Sequence, residues 1–134
     1  MVEHRARVDD DRGGIVLGWL LRLTVGLLLM GVLSFDVFSL AYTNVTTLDD
    51  AGIVATTGAQ ALLEHPRDLR AARRESLDEA SERGVEMRSS DWWVNDDGIV
   101  HVTVSRDAES LVLHYVPQLR KYLTVHAVGT AASN

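Results

Sequence analysis

The chain has no cysteine, one lysine and two prolines among its 134 residues. Without cysteine there is no disulfide framework, no thiolate metal site and no cysteine nucleophile. Lysine is replaced almost throughout by arginine, twelve of the thirteen basic residues, the usage of a GC-rich genome. Beyond residue 35 fifteen acids outnumber nine basic residues. The formal net charge is −6, and the first 35 residues contribute none of it, since they hold four acids and four arginines. Phosphate recognition needs a basic face, so an acidic domain of this kind is not indicated as a nucleic-acid partner. Metal-protease spacings, nucleophile elbows and phosphate-cradling glycine loops are also missing. Nothing in the sequence indicates an enzyme, a cofactor or a small-molecule substrate.

What the chain does have is one long apolar run. Residues 15–35 read IVLGWLLRLTVGLLLMGVLSF, and a helix of that length, at about 1.5 Å per residue, spans a hydrocarbon core of roughly 30 Å. Only Arg22 interrupts it. The long stem of that arginine allows its charge to snorkel to the nearer interface. Arg5, Arg7, Arg12 and Arg22 come before or within the first part of the run, and no further Lys or Arg occurs until Arg67, which predicts a cytoplasmic N-terminus. The expected division is a cytoplasmic segment at 1–14, a transmembrane helix at 15–35 and an extracytoplasmic α+β head at 36–134. Two other readings compete. A cleaved secretory signal would use residues 23–33 as its apolar centre, with Ser39 and Ala41 at the cleavage position. A buried core helix of a soluble protein would require a domain large enough to cover it on all sides.

Past Asp36 the small and apolar residues Ala41, Leu48, Ala51, Gly52, Ala55, Ala59 and Leu62 recur at near-helical spacing and predict that the helix continues out of the membrane. It should end before Pro66. A second helix is predicted with Asp68 as its cap and Gly84 as its left-handed terminator. After Gly84 the pattern changes to period two. VEMRSSDWWVN, an Asp96-Asp97-Gly98 turn and IVHVTVS predict a hairpin, with Val100, Val102 and Val104 on one face. A helical or turn-like DAESLVLHYVPQL leads into a last strand, YLTVHAVGTAA. The expectation is a three-stranded antiparallel sheet covered on one face by the long helix.

This order of features resembles the TadE/TadG-like family, minor pilin-like components of the Flp/Tad pilus assembly system. The residues that carry the resemblance are RGGIVLGWLLRLTVGLLLMGVLSFDVFSLAYTNVTTLDDAGIVATTGAQAL, and LTVHAVGTAASN resembles the family's last strand. The resemblance implies a pilin-like α+β fold and a non-catalytic assembly role. It also implies partners in a pilus or secretion assembly beside membrane lipid, self-association among them. Processing of prepilin type would fall beside Gly13 or Gly14. Family members often carry a glutamate just after the processing glycine, whereas Ile15, Val16, Leu17, Gly18 and Trp19 stand here. A membrane-anchored binding or accessory subunit of another envelope or secretion complex would use the same layout.

Six residues stand out as candidates for interaction. Gly14 and Gly18 form a GxxxG, which permits close helix approach. Arg22 and Asp36, fourteen residues apart, lie about 21 Å apart along a helix and within roughly 40° of one face. They are placed either to mark the two membrane interfaces or to pair between two copies shifted along the axis. Trp92 and Trp93 are neighbours in a strand and must point to opposite faces, one into the core and one outward. His101, His114 and His126 lack any short metal-ligand spacing, and Asp96 and Asp97 read as turn residues. Asn44 to Thr46 match a glycosylation sequon, which has meaning only in a eukaryotic secretory pathway.

Overall fold

The computed structural model describes residues 10–133, with side chains described from Gly14 onward. Arg5 and Arg7 lie outside the described residues, as does the side chain of Arg12. Helix α1 (Asp10–Glu64) runs for 55 residues without interruption, about 80 Å at the α-helical rise. It is long and apolar enough to cross a membrane. From 14 to 35 every side chain is exposed except the half-buried Val32. The hydroxyls in this half do not need water, because Thr24 donates to the Leu20 carbonyl at 2.9 Å and Ser34 to that of Met30 at 2.8 Å. Such i−4 bonds satisfy polar groups inside the helix itself.

The second half of α1 is a different surface on the same cylinder. Asp36, Thr43, Thr47, Ala51, Val54, Ala55, Gly58, Ala59 and Leu62 are buried, and their spacing follows one helical face. Here the structure corrects the predicted seam: Ala41 and Leu48 are exposed. The buried row passes through Thr43 and Thr47, so Leu48, one residue or about 100° further round, faces away. Threonine can occupy that row because Thr47 donates its hydroxyl to the Thr43 carbonyl at 2.6 Å, which leaves only its methyl group to the core.

Helix α1 ends at Glu64, two residues before Pro66. After a short turn α2 (Leu69–Glu82) runs back against it. Asp68 caps α2, its carboxylate accepting from Ala71 N at 2.9 Å. At the other end Gly84 takes φ +67°, while Val85 N bonds the Ala80 carbonyl at 3.0 Å and Gly84 N that of Ser81 at 3.1 Å. These two bonds are the Schellman arrangement. Asp68→Ala should cost about 1 kcal/mol by removing the cap, read as a lower urea midpoint with an unchanged slope.

Three strands follow: β1 (Trp92–Val94), β2 (Ile99–Asp107) and β3 (Thr124–Ala132), antiparallel in the order β1-β2-β3. Residues 95–98 close the hairpin. The Asn95 side-chain oxygen accepts from Asp97 N at 3.1 Å and Ile99 N at 2.8 Å, and Gly98 adopts φ +75°. Asp96 and Asp97 are therefore turn residues, and the fold is α+β as the pattern predicted. The core lies between the sheet and the second half of α1. Val100, Val102 and Val104 are essentially inaccessible, facing Val54 and the alanines of α1. Burying a valine side chain contributes roughly 1.5–3 kcal/mol, so these alternating valines are a main adhesive of the head. On β3 the buried residues are Val125, Ala127 and Gly129, and Leu123 just before the strand is buried too, the alternation read from the sequence. Tyr122, predicted as part of that strand, belongs instead to a single 3-10 turn (Arg120–Tyr122) before it.

Candidate functional site

The connection from β2 to β3, residues 108–123, is the structural feature the sequence left least defined. It contains two single-turn 3-10 helices, Leu113–Tyr115 and Arg120–Tyr122. Its neck is closed by Ala108 N donating to the Leu123 carbonyl at 2.8 Å, so it is a compact loop with adjacent ends. Its far end reaches α1 at Asp36, the first residue past the apolar run. One Asp36 oxygen accepts from Leu111 N at 2.7 Å. The other accepts from Val112 N and Leu113 N, both at 3.2 Å, and from the Ser110 hydroxyl at 3.1 Å. Three successive backbone N–H groups converging on a carboxylate form an anion nest. Asp36 is 1% exposed.

The hydrogen bond from Leu111 N is the largest influence holding the Asp36 carboxyl below its ordinary value of 3.8; burial works against it, and the bonds from Leu113, Val112 and Ser110 add to the lowering. A depressed folded-state value means that the contact is at full strength above the ordinary value and is lost as pH falls through the lower one. The expected result is that hydrogen-exchange protection of the 111–113 amides is constant from neutral to mildly acid pH and collapses only below the usual carboxylate range. Asp36→Ala should remove that protection at every pH, because three N–H groups lose their acceptor together. Protection retained in the variant would show that the loop holds its shape without the carboxylate.

Asp36 thus has its hydrogen-bond partners inside its own chain. Of the two readings of Arg22 and Asp36, interface marking and pairing between copies, the single chain bears only on the surroundings of Asp36, whose oxygens accept from the loop. Arg22 itself is exposed on α1. Gly14 and Gly18 also face outward, and among the described residues nothing beyond their own stretch of helix would lie within 4 Å of a β-carbon at either.

Trp92 and Trp93 separate as strand geometry requires. Trp92 is 3% exposed, and its indole N–H donates to the Ser76 hydroxyl at 2.9 Å. Ser76 sits on α2 and donates in turn to the Val54 carbonyl at 3.4 Å. The Arg73 guanidinium lies 5.3 Å from the Trp92 ring centre, within cation–π range. Trp93, on the outer face, is 45% exposed and stacks flat on His101 of β2 with centroids 5.2 Å apart. A second polar cluster ties three elements together: Asp50 of α1 accepts from Arg83 at 3.1 Å and from Arg106 at 2.8 Å. Arg106 also donates to the Arg83 carbonyl. Arg83 is bonded to Glu79 at 2.6 Å as well, and Glu79 followed by Asp50 raises its pKa above the ordinary arginine value.

His101 and His126 lie on strands opposite Thr130 and Ser105, whereas His114 is in the loop with its Nδ1 3.0 Å from the Ser110 carbonyl. Among the described residues no group of three His, Cys, Asp or Glu side chains is placed to hold a metal ion. A shallow open groove of about 750 Å³ runs along α1 beside β3, floored by Gly52 and Ile53 and walled by Val45, Leu48 and Thr130. It contains Asp49 as its one ionisable side chain. The exposed features of the head are an anchored loop, an aromatic stack and a groove of mixed lining, with Asp49, Thr56, Thr57, Gln60 and Thr130 beside its apolar residues. No family model matches the chain, and neither the curated proteins nor the solved structures contain a match to it.

Proposed function

We propose that the chain is a non-catalytic component of a bacterial cell envelope, a single-pass membrane protein with its N-terminus in the cytoplasm and its head outside. Its role is assembly, of the kind the TadE-like resemblance implies. The observation that carries this reading is the division of α1 into two halves of one helix. The first half exposes an apolar surface on every side, and the second half is the central element of the head's core. A helix that is apolar all round and uncovered needs a non-aqueous surrounding. The exposed loop and the Trp93–His101 stack of the head suit a part that binds other proteins. The exposed Trp93–His101 stack favours a second reading within the same class, an accessory subunit of another envelope or secretion complex that is gripped through its sheet.

Purification from the native membrane tests the proposal. The expected outcome is a full-length mass, a requirement for detergent, and copurification with the ATPase and platform proteins of a pilus-type assembly. Copurification with a different envelope complex would favour the accessory-subunit reading. Release without detergent, or a mass starting near Ala41, would overturn the anchored reading.

A further inference from the structure

The loop between β2 and β3 has an unusual surface for its place in an acidic head. Leu111, Val112, Tyr115 and Tyr122 are exposed, Tyr115 to 76%. Arg120 and the single lysine, Lys121, stand beside them, with the Lys121 ammonium 5.0 Å from the Tyr122 ring centre. From residue 36 onward the head carries fourteen acids and seven arginines outside residues 108–123, against one acid and two bases within them. Residues 67–74, with four arginines and one acid, also carry net positive charge but follow the far end of α1; in the loop such charge stands beside exposed apolar and aromatic side chains.

Its position gives that combination a meaning. The Asp36 nest holds the tip of the loop beside the residue that directly follows the apolar run. On α1, Phe35, Val37, Phe38 and Tyr42 remain exposed around the same level. From Ile15 to Tyr42 the helix rises about 40 Å, close to the roughly 40–45 Å of a bilayer with its headgroups and well beyond its roughly 30 Å hydrocarbon core. With the core spanned by 15–35, the stretch from Asp36 to Tyr42 and the loop bonded to it stand at headgroup depth. Tyrosine side chains favour that depth, with an apolar ring inward and a hydroxyl toward water. Arginine and lysine there meet lipid phosphates. A bare carboxylate at the same depth would be costly, and the nest removes that cost by surrounding it with N–H donors.

We infer that the 108–123 loop is a membrane-docking element that seats the base of the head in the headgroup layer of the bilayer α1 crosses, Tyr115 and Tyr122 entering the interface and Arg120 and Lys121 facing anionic phosphates. The inference rests on the membrane-spanning reading of α1. Asp36 is the positioning residue, since it fixes the loop at the correct height.

The absence of cysteine makes the test direct, because any introduced cysteine is a unique attachment point for a spin label. The full chain is reconstituted in phosphatidylcholine vesicles containing phosphatidylglycerol, and four single variants are compared: Tyr115→Cys, Tyr122→Cys, Leu28→Cys in the middle of the apolar run and Asp97→Cys in the hairpin turn. The readout is the ratio of collision rates with oxygen, which concentrates in lipid, and with a water-soluble nickel chelate. A ratio several-fold higher at 115 and 122 than at 97, and lower than at 28, is the expected result. Equal, water-like ratios at 115, 122 and 97 with a lipid-like ratio at 28 would overturn the docking loop and leave the membrane-spanning reading intact. A water-like ratio at 28 would overturn both. Adding Asp36→Asn to the Tyr115→Cys chain should shift the label toward water while the ratio at 28 stays fixed; an unchanged ratio would remove Asp36 from the positioning role.

Discussion

Gly129→Val is expected to destabilise the head strongly while leaving the apolar half of α1 helical. Gly129 lies on β3 where the strand crosses α1, and a β-carbon there would overlap the Ala51 carbonyl group and stand 2.7 Å from Gly52 N. Both are backbone atoms of a helix, so no side chain can swing aside to make room. The strand can accommodate the substitution only by leaving the helix, and with it Val125, Ala127 and Val104, the β2 partner of Ala127. Overpacking typically costs roughly 1–3 kcal/mol and sometimes more; a collision with fixed backbone belongs at or above the upper end. For a domain of this size each kcal/mol shifts Tm by about 4–8 °C, so a fall of ten degrees or more is expected in the near-UV circular dichroism melt in detergent. Gly52→Ala is the matched control. Its β-carbon meets nothing within 4 Å, and alanine is the better helix former by up to about 1 kcal/mol, so the control should melt at or above the parent temperature. A Gly129→Val head as stable as the parent would show that β3 does not bear on α1 in the way described.

The second large effect is expected at Trp92. Truncating a buried tryptophan to alanine costs about 3–5 kcal/mol, and here it also frees the Ser76 hydroxyl from its indole partner and uncovers the Arg73 guanidinium. Gly58 contributes to the same cluster: a β-carbon there would strike the Ser76 hydroxyl and come within 3.0 Å of Trp92 Nε1. α1, α2 and β1 therefore meet at one glycine, one serine and one tryptophan. Trp92→Phe should cost less than Trp92→Ala, about 2 kcal/mol, because a six-membered ring stays while the pyrrole ring and its N–H bond are lost. Trp93→Ala should lie within about 0.5 kcal/mol of the parent, as expected for a surface position. Urea unfolding of the three variants reads the order directly. Equal losses at Trp92 and Trp93 would contradict the assignment of one to the core and the other to the outer face.

Much of the fold was legible because its signals are periodic or chemical. Val100, Val102 and Val104 alternate strictly, Asp68 and Gly84 are standard helix terminators, and Pro66 stops α1. The buried row of α1 was legible only in part. Hydropathy favours Leu48 over Thr47, and nothing local announces that a threonine will turn its hydroxyl back onto the helix and bury its methyl. The candidate site was the least legible. Asp36 was conspicuous as a charge at the end of an apolar run, but its partners are backbone amides 75 to 77 residues away, and amides carry no residue-specific signature. Gly58 and Gly129 were invisible for a related reason, since the need for a missing side chain is set by what lies opposite. A signal for the loop was present in principle: exposed aromatic and basic residues clustered in an otherwise acidic head.

The uninterrupted course of α1 has a mechanical consequence. With no proline or break between the apolar half and the core of the head, the two halves share one rotational phase, and the direction in which the sheet points is set by how the apolar half is rotated about the helix axis. One residue inserted between Asp36 and Thr43 would turn the head by about 100° and lift it by about 1.5 Å relative to the lower half. A twist or pull applied at one end would reach the other through a rigid shaft, with the 108–123 loop as its collar.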